Sequence, residues 1–251
     1  MTGSLHPPSG LLRRLTLVAR GEPLSANYRL FFQDGNKPVS PWHDIPLFSE
    51  SGHVHMVTEI SMGIRAKFEI STHEEHNPIR QDLNKKGEPR FYVPQPFFNY
   101  GAAPQTWEDP AAETKQEPGL RGDGDPLDIV EIGETPMPAG GIAEVKILGA
   151  FCLIDQGEVD WKLLALSTDR AESQQFACIS ELPQERVQKV VDWFRTYKTF
   201  EGKEENRIGC GGRILTRKEA LEVIDECHHH WRKLRSVRKQ EQLSGESGAS
   251  D

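Results

Sequence analysis

The chain has 251 residues, 36% of them hydrophobic, and a formal net charge of −8. That length fits one large domain or two small ones, and the apolar fraction can fill a real core. The negative charge excludes non-specific attraction to nucleic acid or an anionic membrane surface, and no apolar run approaches transmembrane length.

In chain order, residues 1–15 carry Arg13 and Arg14 and no acid. They are short, hold two prolines and lack a hydrophobic signal core, so the expectation is a flexible extension on a cytoplasmic protein, the alternative being an organelle transit peptide. Strand-like stretches follow at 28–32, 54–60, 66–70, 90–93, 127–132, 142–151 and 161–166, broken by Gly and Pro. So many short strands in one domain point to a small closed barrel rather than a parallel sheet. Helices gather late. Val187, Val190, Val191 and Phe194 recur at helical spacing, with Tyr197 and Lys198 ending the run. Thr216 with Glu219 forms a capping box, opening a helix that carries Leu221, Ile224, His228, Trp231 and Leu234 on one stripe. His228, His229 and His230 point about 100° apart on such a helix and cannot converge on one ion, so packing and surface roles are expected. From about residue 236 the composition turns polar, and 236–251 reads as a disordered tail. The expected organisation is a single domain over 16–235. Cys152, Cys178, Cys210 and Cys227 lack CxxC spacing, so no zinc or redox motif appears, and a reduced intracellular protein fits best.

The chemistry is concentrated in Gly122-Asp123-Gly124-Asp125-Pro126-Leu127-Asp128, which runs into an apolar strand. Asp, Gly and Pro are ordinary turn formers, but a turn alone gives no reason for three carboxylates at i, i+2 and i+5. Their mutual repulsion is offset by a cation, and oxygen-only ligands suit a hard one such as Mg²⁺. A calcium EF-hand loop would place Asp123, Asp125 and Glu134 at positions one, three and twelve, but it fails at Leu127 and at Asp128, where Gly is needed. Strand alternation adds two acid–lysine pairs: Lys67 with Glu69, and Asp160 with Lys162, each sharing one face opposite apolar residues. Singly, each is an ordinary surface pair worth little; beside the three-Asp turn they read as one shared cavity.

Asp123-Gly124-Asp125-Pro126-Leu127-Asp128 resembles the signature of family I soluble inorganic pyrophosphatases of the eukaryotic type. Pro38-Val39-Ser40, His43-Asp44-Ile45-Pro46-Leu47, Asn99-Tyr100-Gly101, the run 104–110, Asp155 to Lys162, Trp193-Phe194-Arg195 and Tyr197-Lys198 match the same family pattern, from about Ala26 to Leu234. The resemblance implies an α+β fold, a small closed OB-like, antiparallel-rich β-barrel with flanking, mainly C-terminal helices. It implies Mg²⁺-dependent hydrolysis of pyrophosphate to two orthophosphates by direct attack of a metal-activated water. Asp123, Asp128 and Asp160 would hold a first Mg²⁺, with Asp128 shared with a second; Asp125 would orient the water and accept its proton. Asp155 and Asp160 would hold a third ion, Glu69 would support a fourth, and Glu59 is a further carboxylate lining the site. Lys67, Arg90, Tyr100, Lys162, Tyr197 and Lys198 would grip phosphate oxygens. These seven acids and four bases leave a formal −3, and about −4 from the substrate then needs roughly three to four Mg²⁺ if buried charge is to be compensated. The rival readings are a broader polyphosphate or nucleotide hydrolase and a non-catalytic metal- or phosphate-binding protein.

The sequence also departs from the family. Ser61-Met62-Gly63 stands where many dimeric members carry a Pro-Arg-Trp run that helps form the subunit interface. Losing an aromatic anchor is a large change for an interface, so the expectation is a monomer, or a dimer through another surface. The stretch 173–183 is shorter than the family's, and Pro96-Phe97-Phe98 replaces a more polar run.

Overall fold

The computed structural model describes residues 10–247, with side chains to residue 237; the rest of the expected N-terminal extension, 1–9, and the end of the expected tail, 248–251, lie outside the described residues. In chain order the strands are β1 (Leu15–Arg20), β2 (Arg29–Asp34), β3 (Lys37–Val39), β4 (Val54–Ile60), β5 (Phe68–Ile70), β6 (Ile79–Gln81), β7 (Asn99–Ala102), β8 (Asp128–Glu131), β9 (Ile142–Asp155), β10 (Glu158–Ser167), β11 (Arg207–Ile208) and β12 (Leu215–Thr216). Two α-helices follow the main strands, α1 (Gln184–Thr196) and α2 (Arg217–Ser247).

One sheet runs β10-β8-β7-β4-β9, and β9 pairs back onto β10, so five strands close into a ring with the OB-like topology that the sequence implies. The β8–β10 pair is parallel, while the others in the ring are antiparallel. The second sheet orders β1-β2-β6-β5, with β3 also on β2. The ring closes around a packed interior: every residue of β4 and β7 is buried, polar ones included. Met56, Leu127, Ile129, Ala150 and Leu163 share one core with Ala220, Val223, Ile224 and Cys227 of α2. The capping box forms as its sequence predicts, with Thr216 N–H donating to Glu219 Oε2 at 2.7 Å and Glu219 N–H to Thr216 Oγ1 at 3.3 Å. Helix α2 extends to Ser247, so helix covers residues 236–247, where the composition reads as a tail.

Two features of the strands place the site. β9 and β10 are longer than their apolar cores, because Gln156 and Gly157 join them at φ +54° and +93°, the backbone that a tight two-residue hairpin needs. Asp155 thus stands at the hairpin end, with Asp160 and Lys162 further along β10. The stretch 90–93, by contrast, makes a single bridge, Ala66 to Phe91, instead of a strand. Pro89 and Pro94 flank it, and neither has an N–H to extend a ladder.

Candidate active site

All thirteen side chains named from the sequence line one cavity of about 300 Å³. Its walls carry eight carboxylates and five cationic side chains, a formal excess of three negative charges. The ring supplies Glu59 from β4, Tyr100 from β7, Asp128 from β8, Asp155 from β9, and Asp160 and Lys162 from β10. Glu69 comes from β5, Tyr197 and Lys198 from the 3₁₀ turn that continues α1, and Asp123 and Asp125 from the loop before β8.

That loop is held by its backbone. Asp125 N–H donates to Asp123 Oδ1 at 2.9 Å, Glu108 N–H to Asp125 O at 2.9 Å, and Gly124 N–H to Glu108 O at 2.9 Å. Gly124 sits at φ +90°, where a side chain would be strained. The turn therefore aims its carboxylates outward while its amides are spent on the loop itself. The aromatic end of α1 fixes the opposite wall: Trp193 stacks on Tyr197 with centroids 5.0 Å apart, and Phe98 on Phe194 at 5.3 Å.

Every cation in the cavity is engaged by a carboxylate. Lys162, nearly fully buried, contacts both Asp128 and Asp160 and donates to Tyr100 Oη at 2.9 Å; Tyr100 in turn donates to Asp128. Lys198 pairs with Asp155. Lys67 lies 2.9 Å from Glu69 and 2.7 Å from Asp82, as the alternation in β5 predicts for its first pair. Arg90 reaches Asp82 at 2.7 Å and Glu201 at 3.5 Å. Glu59 is buried, with one oxygen accepting the Ile70 N–H at 2.6 Å.

Three carboxylates escaped the sequence reading: Glu158, the eighth on the cavity wall, and Asp82 and Glu108 beside it. Asp82 joins Lys67 to Arg90, and nothing in the run Ile79-Arg80-Gln81-Asp82 marks it. Glu108 lies within a quoted motif, and it is buried with one oxygen accepting Trp161 N–H at 3.0 Å. Glu108, Asp123 and Asp160 each bring an oxygen within 4.8 Å of the others. The signal for Glu108 was its place beside Trp107, whose indole donates to Gly124 O at 2.9 Å and docks this segment under the Asp loop.

Crowding governs the electrostatics. Burial, then neighbouring carboxylates, push Asp160 and Glu108 well above the usual carboxylate range, and Glu59 likewise. Asp123 and Asp125 are open to the cavity, yet protein replaces much of their hydration; burial and then nearby acids push both up to about 7. Burial opposes the charges of Lys67 and Lys162, but their acid partners outweigh it and hold both well above their ordinary value.

A sign follows for the metal-free protein. Asp123 and Asp125 bind protons more tightly folded than unfolded, so stability falls as pH rises from about 4 through about 7. Asp82, lowered by its cationic partners against its own burial, and Glu201 and Glu219, lowered by their hydrogen-bond partners and nearby cations, act at or below the acid end of that window. Within it His230, lowered by burial, pulls the other way. Melting in EDTA at pH 5 and pH 8 is expected to show the higher transition at pH 5; the reverse order rejects the crowding account.

The donor set fits a hard divalent cation. It is all oxygen, its carboxylates repel one another, and Asp155 Oδ1 and Glu108 Oε2 are buried without a hydrogen-bond partner.

Comparisons with known proteins bear on the chain as a whole. Residues 56–232 match the family model described as "Inorganic pyrophosphatase". The chain is 41% identical to the soluble inorganic pyrophosphatase 1, chloroplastic, of Chlamydomonas reinhardtii, covering 93% of this chain and 84% of that protein. It superposes on the type I inorganic pyrophosphatase of Toxoplasma gondii with a TM-score of 0.82 at 36% identity, over 88% of this chain and 99% of that one. A truncated vacuolar soluble pyrophosphatase of Trypanosoma cruzi, solved in complex with PPi, gives a TM-score of 0.83 at 34% identity, over 94% and 95% of the two chains.

Proposed function

The chain belongs to the inorganic pyrophosphatase family, and from that premise we infer that it is an enzyme hydrolysing inorganic pyrophosphate to two orthophosphates by direct attack of water. The observation that carries the inference is the cavity itself, where carboxylates able to hold several cations face lysines, an arginine and tyrosines suited to phosphate oxygens. The divalent ions that the family implies are taken to be Mg²⁺, three to four with substrate bound; they neutralise the diphosphate and make the attacking water more acidic. Asp123, Asp128 and Asp160 are the residues to hold the first, Asp128 to share the second, Asp155 and Asp160 to take the third, and Glu69 to support a fourth, with Glu59 beside them.

The chain's own groups do the rest. Asp125 orients the water and accepts its proton. Arg90 offers a planar fork that matches phosphate oxygens; Lys67, Lys162 and Lys198 add point charges, and Tyr100 and Tyr197 neutral donors. Lys67, Lys162 and Lys198 are each paired with a carboxylate assigned to metal, so binding would be an exchange of partners. With those carboxylates on ions, the lysines would be free to turn to phosphate, while Arg90 would keep Asp82 and Glu201 and reach phosphate with its remaining N–H groups. Charge then gathers on the departing phosphate against cations already in place. Among the described residues no Ser, Cys or His side chain lines the cavity, so a covalent phosphoenzyme is not part of the reading.

Phosphate release from pyrophosphate, tripolyphosphate and ATP, each with Mg²⁺, tests it. Rapid release from pyrophosphate alone is expected. No release from pyrophosphate rejects the enzyme in favour of a binding protein, and comparable turnover of ATP favours the broader hydrolase.

We read the protein as a monomer, or a dimer through another surface, because Ser61-Met62-Gly63 offers no aromatic anchor. Met62 N–H is tied to Asn99 Oδ1 at 2.9 Å and Gly63 N–H to Pro96 O at 3.0 Å, so the segment is spent on its own chain. Light scattering after size exclusion at micromolar concentration is expected to give the 28.3 kDa of one chain; twice that mass rejects the monomer. No helix among the described residues is long and apolar enough to cross a membrane. We place the protein in the cytoplasm, with an organelle as the alternative, and imaging of the full chain fused to a fluorescent protein separates them.

A further inference from the structure

The four cysteines are scattered in sequence, but folding gathers two of them around one acid. Cys152 lies on β9, Cys210 in the turn after β11, and Glu117 in the loop that leads to Asp123. A sulfur or oxygen atom from each lies within 4.8 Å of the other two. The backbone sets this convergence. Gly209 N–H donates to Cys152 O at 2.9 Å, and Cys210 N–H to Glu117 Oε2 at 2.5 Å. A Cβ at Gly209 would stand 2.6 Å from Cys152 Sγ and 3.1 Å from Glu117 Oε2, so only glycine lets both donors approach this point. Gln116 O, 3.6 Å from Cys210 Sγ, supplies a further oxygen.

We propose that Cys152, Cys210 and Glu117 form a second divalent-metal site, separate from the carboxylate cavity and selective for a thiophilic ion such as Zn²⁺. Two thiolates and a carboxylate are ordinary zinc donors, and three protein ligands leave a fourth position for the Gln116 carbonyl or water. Thiolate sulfur prefers zinc to magnesium, so the two sites divide the metals by softness. Cys152 is buried, whereas Cys210 and Glu117 are half-buried and give the ion its way in.

The rival use of two adjacent thiols is a disulfide. Burial first, and then Glu117, oppose thiolate formation at Cys210, and burial, Cys210 and Glu117 do so at Cys152. That slows oxidation, which needs a thiolate. A divalent cation reverses the effect: it attracts all three groups, and the two thiol protons leave to solvent as it binds. The site also has leverage. Glu117 stands six residues before Asp123 and Cys152 three before Asp155, so an ion there ties together two segments that carry cavity carboxylates.

The test uses the full chain, reduced and stripped of metal, with saturating Mg²⁺ to fill the carboxylate cavity and Co²⁺ as the spectroscopic probe. Thiolate-to-Co²⁺ charge-transfer absorption is expected to saturate at one ion per chain and to be erased by Zn²⁺, a band that carboxylates alone cannot produce. It should be lost in Cys210→Ser, weakened in Glu117→Gln, and kept in Cys178→Ser and Asp125→Asn. Circular dichroism confirms that the variants fold, and Glu117→Gln serves if Cys210→Ser does not. Absence of the band in the wild type, its survival in Cys210→Ser, or undiminished affinity in Glu117→Gln overturns the site. None of these outcomes depends on pyrophosphate turnover.

Discussion

Asp125→Asn is expected to lower kcat for pyrophosphate by roughly 10²- to 10⁴-fold, the range that a positioned proton acceptor contributes, with KM changing far less. The asymmetry comes from the structure. The Asp125 backbone is committed to the loop, its N–H to Asp123 and its carbonyl to Glu108, and an amide side chain leaves both bonds intact. Its carboxylate accepts no hydrogen bond from the described residues and opens into the cavity. In the metal-free protein burial and neighbouring acids push it up to about 7. The cations proposed to grip phosphate are untouched, so the loss should fall on the chemical step. Removing one charge from a crowd of acids should also leave the metal-free fold at least as stable as the wild type. Wild-type kcat in this variant takes Asp125 out of the chemistry; a large loss of stability would mean that the substitution disturbed the loop, and Asp125→Ser would then be the cleaner probe.

Much of this site is legible in the sequence because its parts are local. The three-Asp turn is contiguous, and a strand's period of two places Lys67 beside Glu69 and Asp160 beside Lys162 without knowledge of the fold. The sheet's closure is less local. The β7 strand, Asn99–Ala102, shows no apolar alternation; it forms because Asn99 is bound to Glu131 at 2.7 Å and its backbone pairs on both sides with β4 and β8. Likewise β6 is a strand because β2 and β5 pair with it on its two sides. Asp82 was missed for a related reason. Its importance lies in bridging Lys67 and Arg90, fifteen and eight residues away in the chain, and a pairing of that kind leaves no mark on the residues around it. The same blindness hid the Cys152–Cys210–Glu117 cluster, since spacing rules find metal sites only when the ligands are close in sequence.

Lys162→Met is expected to destabilise the metal-free protein by about 3–5 kcal/mol, the usual result of removing one partner from a buried ion pair. The ammonium is the only cation in contact with both Asp128 and Asp160 among the described residues, and it sits 5.4 Å from the ring centroids of Tyr100 and Phe194. Met preserves most of the side chain's volume, so packing against Phe194 survives and the loss is of charge. At roughly 2–4 °C per kcal/mol for a chain of this size, the melting temperature in EDTA should fall by roughly 6–20 °C. Two conditions should shrink that deficit. Saturating Mg²⁺ supplies another cation for the same two carboxylates. Lower pH does so by protonation: burial pushes the Asp160 carboxyl up and Lys162 opposes that push, so without the lysine it takes a proton more readily, and the penalty is largest at pH 8 and smaller at pH 5. A deficit that is equal with and without Mg²⁺ would mean that Lys162 and the metal do not compete for Asp128 and Asp160, and the exchange of partners proposed for substrate binding would fall with it. Turnover should be lost even where Mg²⁺ restores stability, because the metal replaces the lysine at the carboxylates but not at the phosphate.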